Sequence, residues 1–424
     1  MGLPRRSGTV GQRFIVLLSK HPNFTLIKLG ASSRSAGKAY FNSVRWKQAV
    51  PIPENVKDMM VHECVPEHFK DCDIIFSGLD ADVAGDIGDF HLLPSRFFFF
   101  FLAESGLLTK TILANNPIEC QFRAKDLAVF SNAKNYRRDP LCPLIVPLVN
   151  STHFGIIGHQ RKTHMDPNTK SLSPLKKGFI VTNANCSTTG LVVPLKALES
   201  SFGPIDKVIV TTLQAISGGG YPGVPSLDIL DNVVPFISGE EDKIEWECLK
   251  ILGTLDDSSD PTSIVLRSEE ATDRSLTEIQ RTATGPMKIS ATTTRVPVLD
   301  GHTATVSLSF KNQPPPSPED CVKALRAYRS APQILNCPSA PTHSIFVHDE
   351  EDRPQPRLDR YFQDGAGVSV GRVRQVSRLF SPLKPEYLLN ILDIKFIVLS
   401  NNVSIGAATS SIMNAELAVA QNVV

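Results

Sequence analysis

The 424-residue sequence has almost no net charge, no long apolar run and no paired cysteines. Its 44 Lys and Arg residues nearly balance its 43 Asp and Glu residues, so the formal net charge is +1. Nucleic-acid-binding and polybasic membrane-surface proteins normally carry a clear basic excess, so neither partner is expected. The longest apolar run, at 97–102, is far shorter than the roughly 20 residues that cross a bilayer. We therefore expect no transmembrane helix.

The amino terminus also has no recognisable address signal. MGLPRRSG lacks the apolar core of a signal peptide, and Arg6 stands where a myristoylation signal has Ser or Thr. We therefore expect a cytoplasmic protein. The eight cysteines form no CxxC pair and have no His at zinc-ligand spacing, so we expect reduced thiols and no metal site.

With 42% hydrophobic and 21% charged residues, the chain has the composition of a folded protein, and its length predicts two to three domains. In the first 180 residues, TLIKLGASS, DCDIIFSGLD and DLAVFSNA read as strands separated by loops and helices. This alternation of strands and helices is typical of a doubly wound parallel sheet. After Gly178 the pattern becomes β-rich, with a helix at PPPSPEDCVKALRAY and another at the carboxyl end.

The strongest chemical signal is TNANCSTTG at 182–190, where a predicted strand ends and a helix begins at Cys186, with Ser187 or Thr188 near its cap. Free N–H groups and a positive partial charge at a helix start lower the pKa of a thiol. Cys186 is therefore a candidate nucleophile. A small buried cysteine that fits a tight turn is the equally weighted alternative.

A second signal is RVPVLDGH, in which a predicted strand leads through a turn to His302. Beside a cysteine nucleophile, this histidine would act as general base and later as acid. Arg295 on the same segment could bind a substrate carboxylate through two parallel hydrogen bonds. A structural histidine and a surface arginine in a salt bridge are the alternatives.

Two weaker signals concern anions. Gly8 and Gly11 in GTVGQ are similar to the end of a phosphate-binding turn, and Arg34 in GASSRSAG would suit a 2′-phosphate, which favours NADP over NAD. SGEEDKIEWE reads as a charged helix start with a solvated face.

Taken together, these residues resemble the aspartate-semialdehyde dehydrogenase family, in the branch shared by fungi and archaea. The resemblance covers most of the chain. The matching stretches are TVGQRF, LGASSRSAGK, SGLDADVAGD, FSNAKNYRRDP, GFIVTNANCSTTGLVVPLKAL, TLQAISGGGYPGVPSLDILDNVVPFISGEEDKIEWE, KISATTTRVPVLDGHTATV, DRPQPRLDR and IGAATSSIMNAELAVA.

The resemblance implies a reaction and a set of site residues. The reaction is the reversible, NADP-dependent reduction of 4-aspartyl phosphate to aspartate 4-semialdehyde through a thioacyl intermediate, in the biosynthesis of threonine, methionine, isoleucine and lysine. The implied catalytic residues are Cys186, His302, Gln214 and Asn185. The implied substrate-binding residues are Arg137 and Lys243 for phosphate, Glu240 for the amino group and Arg295 for the carboxylate. The implied cofactor residues are Gly8, Thr9, Val10, Gly11, Ser32, Ser33, Arg34, Ser35, Ser217, Gly218 and Asn402.

The family architecture implies a Rossmann-type nucleotide domain at 1–184, an α+β catalytic and dimerisation domain at 185–402, and a carboxyl-terminal helix at 403–424 that packs on the nucleotide domain. It also implies a homodimer or homotetramer. The closest enzyme alternative is a related acyl-phosphate reductase, such as N-acetylglutamyl-phosphate reductase.

Three features depart from the family pattern. Arg5 and Ser7 replace parts of the glycine turn, and only 1–4 precede it, so we expect the first strand to be missing and the sheet and NADP binding to be weakened. Segments 88–121, with five consecutive Phe residues, and 376–392 have no family counterpart. We interpret both as unspliced introns of a gene model and the amino terminus as a mis-called start; genuine inserts in a divergent protein are the alternative. For the function, a catalytically impaired product of a faulty gene model is a further alternative.

Overall fold

The computed structural model describes residues 9–33, 35–78, 118–165, 171–255, 287–376 and 392–424. Within them, no helix has the length and apolar character needed to span a membrane. The two predicted inserts lie largely outside these ranges, as do Gly8 and Arg34 of the predicted cofactor site.

The first half of the described chain is built from short parallel strands connected through helices. The strands are β1 (Leu29–Ala31), β2 (Val61–Glu63), β3 (Ile74–Ser77), β4 (Ala128–Ser131), β5 (Leu144–Ile145) and β6 (Phe179–Asn183). The helices are α1 (Thr9–Leu18), α2 (Tyr40–Ser43), α3 (Glu54–Lys57), α4 (Ile118–Ala124) and α5 (Ile156–Lys162). Four strands are buried along their whole length, which explains their continuous apolar runs, because helices cover both faces of a parallel sheet.

These strands form two separate parallel sheets. One has the order β3-β4-β6-β5, and the other pairs β1 with β2. No strand of the described residues joins β1 to β3. Residues 1–8, to which the prediction of a missing first strand refers, lie outside the described ranges. The carboxyl ends of β3, β4 and β6 nevertheless meet at one edge, where an open α/β sheet binds its ligand.

The second half is an α+β unit around a six-stranded mixed sheet of order β10-β11-β12-β9-β7-β8. Its strands are β7 (Ile205–Gln214), β8 (Lys288–Arg295), β9 (His302–Phe310), β10 (Ile345–Val347), β11 (Val368–Gln375) and β12 (Ile394–Ser400). Its helices are α6 (Cys186–Phe202), α7 (Ser226–Ile229), α8 (Glu240–Leu252), α9 (Pro318–Ala327), α10 (Ala331–Ile334) and α11 (Pro356–Asp359). Together with the parallel sheets, this architecture confirms the predicted fold class.

The last helix, α12 (Thr409–Ala420), returns to the first half of the chain. Its side chains Ile412, Ala415 and Leu417 are buried in the same core cluster as Phe14 of α1 and Ile75 of β3. A π-helical turn, Ser404–Ala408, leads into it from β12. The end of the chain thus packs on the parallel sheet and carries the turn that borders the nucleophile.

Helix α4 includes the last residues of the first predicted insert. Residues 118–121 were placed inside that insert, yet Ile118, Glu119 and Cys120 are buried and belong to the packed domain. The Glu119 carboxylate accepts a hydrogen bond of 2.6 Å from Ser131 at the end of β4. The last residues of the first predicted insert are therefore part of the packed domain.

Candidate active site

Cys186 is the first residue of α6, at the point where β6 ends. The predicted helix start is confirmed, but the cap is Asn185 rather than Ser187 or Thr188. Its Oδ1 accepts hydrogen bonds from the backbone N–H groups of Ser187 (2.9 Å) and Thr188 (3.2 Å). An Asn cap satisfies two of the free donors of the first turn and fixes the start of the helix. The thiol is thereby held at a defined place in the crevice.

His302 lies against the thiol. As the first residue of β9, it places Nε2 3.3 Å from the Cys186 Sγ, although 116 positions separate the two residues. The backbone N–H of Ala215 donates to the other ring nitrogen, Nδ1, at 3.0 Å. Because Nδ1 accepts, the neutral ring carries its proton on Nε2 and presents it to the sulfur. In this resting state the ring is a donor, whereas the base role predicted from the sequence needs the opposite tautomer.

The pKa values of the pair correct a second prediction. The positive end of the helix was expected to lower the pKa of the thiol; instead, burial and the nearby Glu240 carboxylate raise the pKa of Cys186 to about 12, against smaller opposing effects of Arg137, Arg295 and the Ser187 N–H. Burial and Arg295 lower the pKa of His302 to about 3. Desolvation outweighs the helix end, so the resting pair is a neutral thiol and a neutral imidazole.

Glu240, the first residue of α8, organises one wall of the site. Its Oε1 accepts from Asn185 Nδ2 at 2.7 Å and from Gln214 Nε2 at 3.3 Å, and its Oε2 accepts from Lys243 Nζ at 2.9 Å. Burial alone would raise its pKa, but Lys243 and these hydrogen bonds outweigh burial and lower the pKa of Glu240. The solvated face predicted from the EEDK segment alone is therefore wrong for Glu240, whose carboxylate points inward as an anion, whereas Asp242 is exposed.

Arg295 ends β8 beside Gln214, which ends β7, and the two strands pair in register. The buried Arg295 guanidinium donates through Nη1 to the carbonyl oxygen of Ala215 at 2.8 Å. A β-carbon on Gly218 would lie 2.7 Å from that Nη1 and 2.9 Å from Cε1 of His302. Only glycine therefore leaves the approach to both side chains open.

Glu247 was not predicted from the sequence. Its Oε1 accepts from Arg137 Nη1 at 2.9 Å and its Oε2 from the backbone N–H of Asn185 at 2.6 Å, so one buried carboxylate joins the predicted phosphate-binding arginine to the nucleophile loop. The spacing was a usable signal. Glu240, Lys243 and Glu247 lie three and four residues apart, which places them on one face of α8.

A cavity of about 430 Å³ opens onto Cys186. Seven further predicted site residues line it: Val10, Arg137, Asn185, Gly218, Glu240, Lys243 and Arg295. Among the lining residues that the sequence reasoning missed are Asn132 and Lys134, in the turn after β4. Thr9, Gly11, Gln214, Ser217, His302 and the serines near β1 do not line this cavity.

The remaining predicted cofactor residues lie at the edges of the same crevice. Gly78 at the end of β3 approaches the start of α1 so closely that its β-carbon would lie 3.5 Å from the Gly11 nitrogen. Asn402 Nδ2 donates to the Ser217 hydroxyl at 2.8 Å, and Asn402 Oδ1 accepts from the Gly301 N–H at 2.8 Å, in the turn before His302.

The turn after β1 carries the predicted 2′-phosphate site. Ser32, Ser33 and Ser35 lie in this turn, where the Ser35 N–H donates to the Ser32 carbonyl at 2.9 Å. The buried Ser32 hydroxyl has no hydrogen-bond partner in the described structure. A buried polar group left unsatisfied in this turn fits a bound dinucleotide phosphate.

Two family models match the chain. Residues 6–91 match the NAD-binding domain of semialdehyde dehydrogenase, and residues 195–381 match the semialdehyde dehydrogenase dimerisation domain.

Curated relatives match over nearly their full length. The chain is 52% identical to an aspartate-semialdehyde dehydrogenase from Cryptococcus neoformans, with 100% of this chain and 98% of the relative covered. It is 45% identical to the enzyme of that name from Saccharomyces cerevisiae, with 100% and 98% covered.

A solved structure supports the same assignment. The crystal structure of aspartate-semialdehyde dehydrogenase with NADP from Candida albicans superposes with a TM-score of 0.75 at 45% identity, covering 98% of this chain and 97% of that one. Full-length identity of this level, together with the Cys186–His302 pair in the crevice, leads to one conclusion: this chain belongs to the aspartate-semialdehyde dehydrogenase family.

Proposed function

We propose that the protein is an NADP-dependent aspartate-semialdehyde dehydrogenase of amino-acid biosynthesis. In the biosynthetic direction it would convert 4-aspartyl phosphate to aspartate 4-semialdehyde and phosphate. The observation that carries the proposal is the 3.3 Å contact between the Cys186 Sγ and the His302 Nε2 at a helix start, beside a cavity that Cys186 lines together with Glu240 and Arg295.

The first step forms a bond between the sulfur and the acyl carbon, while the bond from that carbon to the phosphoryl oxygen breaks. The products are a thioester on Cys186 and phosphate, and the proton lost by the thiol balances the one gained by the phosphate. Because the pKa of the thiol is raised to about 12, little thiolate exists beforehand, so the proton leaves as the new bond forms. The Nε2–H of His302 faces the sulfur and stabilises its developing negative charge.

The second step reduces the thioester, and NADPH, when bound, supplies the hydride. The carbonyl oxygen gains negative charge as the carbon becomes tetrahedral, and the Nε2–H of His302 is placed to donate to it. Breaking the carbon–sulfur bond then releases the aldehyde and returns the sulfur as thiolate. We therefore propose His302 as a hydrogen-bond donor to sulfur and oxygen, a narrower role than the general acid/base that the family resemblance implies.

Charged side chains around the Cys186 sulfur are complementary to the amino, carboxylate and phosphate groups of the substrate. The Glu240 carboxylate, held as an anion, would bind the substrate amino group, and the Arg295 guanidinium would bind the carboxylate. Gln214 and Asn185 both donate to Glu240 and so orient it. Arg137 and Lys243 line the cavity and would hold the phosphate.

The cofactor would occupy the crevice at the carboxyl ends of the parallel strands. Thr9, Val10 and Gly11 at the start of α1 would hold its pyrophosphate, and Ser32, Ser33 and Ser35 its 2′-phosphate. Ser217, Gly218 and Asn402 would border the nicotinamide, since Gly218 adjoins both Arg295 and His302.

We also propose a homodimer or homotetramer, assembled through the uncovered face of the six-stranded sheet. Along β7 the side chains of Val208 and Val210 are buried, whereas Ile209 between them is 49% exposed. Thr292 of β8 and Thr305 of β9 are exposed on the neighbouring strands. This face lies within the region that matches a dimerisation domain. A second copy is its natural partner.

One assay separates the proposal from both alternatives. The purified chain is mixed with NADP⁺, phosphate and either aspartate semialdehyde or N-acetylglutamate semialdehyde, and NADPH absorbance is followed, with Cys186→Ala as the inactive control. We expect phosphate-dependent NADPH formation with aspartate semialdehyde. Preference for the acetylated aldehyde would assign the related reductase. No turnover, together with no saturable NADPH binding, would assign a catalytically impaired product.

A further inference from the structure

We propose that Lys134, on the turn after β4, supplies an unneutralised positive charge that binds the phosphoryl group of the acyl phosphate and the inorganic phosphate of the reverse reaction. The inference rests on the proposed function and adds a residue to its phosphate site. The supporting observation is that two of the cations at the cavity each form an ion pair with a carboxylate, whereas Lys134 does not.

The two cations that the family resemblance assigns to phosphate are each matched by a carboxylate. Arg137 forms a buried ion pair with Glu247, with 2.9 Å between Nη1 and Oε1. Lys243 forms an ion pair with Glu240, with 2.9 Å between Nζ and Oε2. Each pair is close to electrically neutral as a unit, so neither brings a full net charge to the cavity.

Lys134 lines the same cavity without such a partner. Within the described ranges it forms no ion pair and no side-chain hydrogen bond, and its side chain is exposed. An exposed lysine can still change rotamer, so its ammonium group is free to meet an anion as that anion enters.

The position of Lys134 in the chain places its charge near Arg137, the arginine proposed to bind phosphate. The backbone N–H of Arg137 donates to the Lys134 carbonyl at 3.2 Å, so one tight turn carries both residues. The turn begins at the carboxyl end of β4 and borders the cavity that opens onto Cys186. Lys243 faces that cavity from α8, and the three cations therefore surround one space.

The negative charge of the phosphate group matches the three cations around the cavity. A phosphate monoester group carries about two negative charges near neutral pH, and charge-assisted hydrogen bonds are the strong ones for such groups. The ion pairs of Arg137 and Lys243 can offer directed N–H groups, while Lys134 offers the missing net charge. An ammonium on a flexible stem also suits a group that must leave in one direction of the reaction.

The test measures KM values for phosphate, NADP⁺ and aspartate semialdehyde in the phosphate-consuming direction. Lys134→Met removes the charge and keeps most of the length of the side chain, and Lys134→Arg keeps the charge. We expect Lys134→Met to raise the KM for phosphate about tenfold and to change the other two KM values less than twofold. Lys134→Arg should restore most of the phosphate affinity.

Arg138 provides a matched control, because it lies on the same turn but its guanidinium stacks 4.4 Å from the centroid of the Trp246 ring. Arg138→Met removes the same formal charge and should leave the KM for phosphate within twofold. An unchanged KM for phosphate in Lys134→Met, an equal rise in Arg138→Met, or a rise confined to NADP⁺ would overturn the inference. Failure of the wild-type chain to turn over would instead refute the proposed function.

Discussion

A β-carbon placed on Gly406 would lie 2.9 Å from the β-carbon of Cys186 and 3.3 Å from its α-carbon. The glycine belongs to the π-helical turn Ser404–Ala408, and its N–H donates to the Asn401 carbonyl at 3.0 Å. Such turns are frequent at functional sites. The carboxyl-terminal segment therefore packs backbone directly against the nucleophile, which leaves no room for a side chain.

Gly406→Ala should push Cys186 away from His302 by a few tenths of an ångström. Because displacements of this size reduce catalysis sharply, we expect kcat to fall about tenfold or more while the KM for NADP⁺ changes little. Gly158→Ala is the control, since its β-carbon would meet nothing within 4 Å. Equal kinetic effects of the two changes would contradict the assigned contact.

Glu247→Gln removes one charge of the buried pair with Arg137. Breaking such a pair from one side costs about 3–5 kcal/mol, and because Arg137 also borders the cavity we expect a loss of about 2–3 kcal/mol in the free energy of unfolding in urea. Glu245→Gln, on the same helix, is the control. The Glu245 carboxylate accepts a hydrogen bond of 2.9 Å from the Ala291 N–H, and the glutamine keeps an oxygen that can accept it. This substitution should cost less than about 1 kcal/mol. A similar loss in both variants would argue against the role of the ion pair.

Glu119→Gln should stabilise the protein at neutral pH. Burial raises the pKa of Glu119 from about 4.5 to about 8, against the hydrogen bond that Ser131 donates. Below pH 4.5 the carboxyl is protonated in both states, but between about pH 4.5 and 8 only the unfolded chain is ionised, so wild-type stability falls relative to the variant as pH rises. We expect a gain of about 1–3 kcal/mol at pH 7.

Urea unfolding at several pH values between 5 and 8 measures this difference. The stability gain of Glu119→Gln should grow with pH across that range. Glu67→Gln, which alters an exposed carboxylate 3.5 Å from Lys125, is the surface control. A constant difference between Glu119→Gln and the wild type would show that the buried carboxyl does not titrate as described.

Ile209→Glu should dissociate the proposed homo-oligomer. A charge on the uncovered sheet face would have to be buried against the second copy, which costs several kcal/mol. Light scattering coupled to gel filtration should report a lower mass for this variant at the same concentration. Ile27→Glu changes an isoleucine of nearly equal exposure, 48%, outside the dimerisation match and should leave the mass unchanged. An unchanged mass for Ile209→Glu would place the interface elsewhere.

The sequence by itself determined the local features of this protein. The strand that ends before Asn185 and the helix that begins at Cys186 were both predicted, because apolar runs, caps and turn residues act over a few neighbouring positions. Motif resemblance also identified the family, and the comparisons confirm it.

Only the tertiary structure decided how distant charges combine. The Glu247–Arg137 pair spans 110 positions and the Ala215–His302 hydrogen bond spans 87, so no local pattern shows them. Burial likewise reversed the predicted direction for the thiol, raising the pKa of Cys186 where the helix start alone would lower it. Desolvation of a titratable group depends on every chain segment that covers it. The extent of this burial is therefore set only in the folded protein.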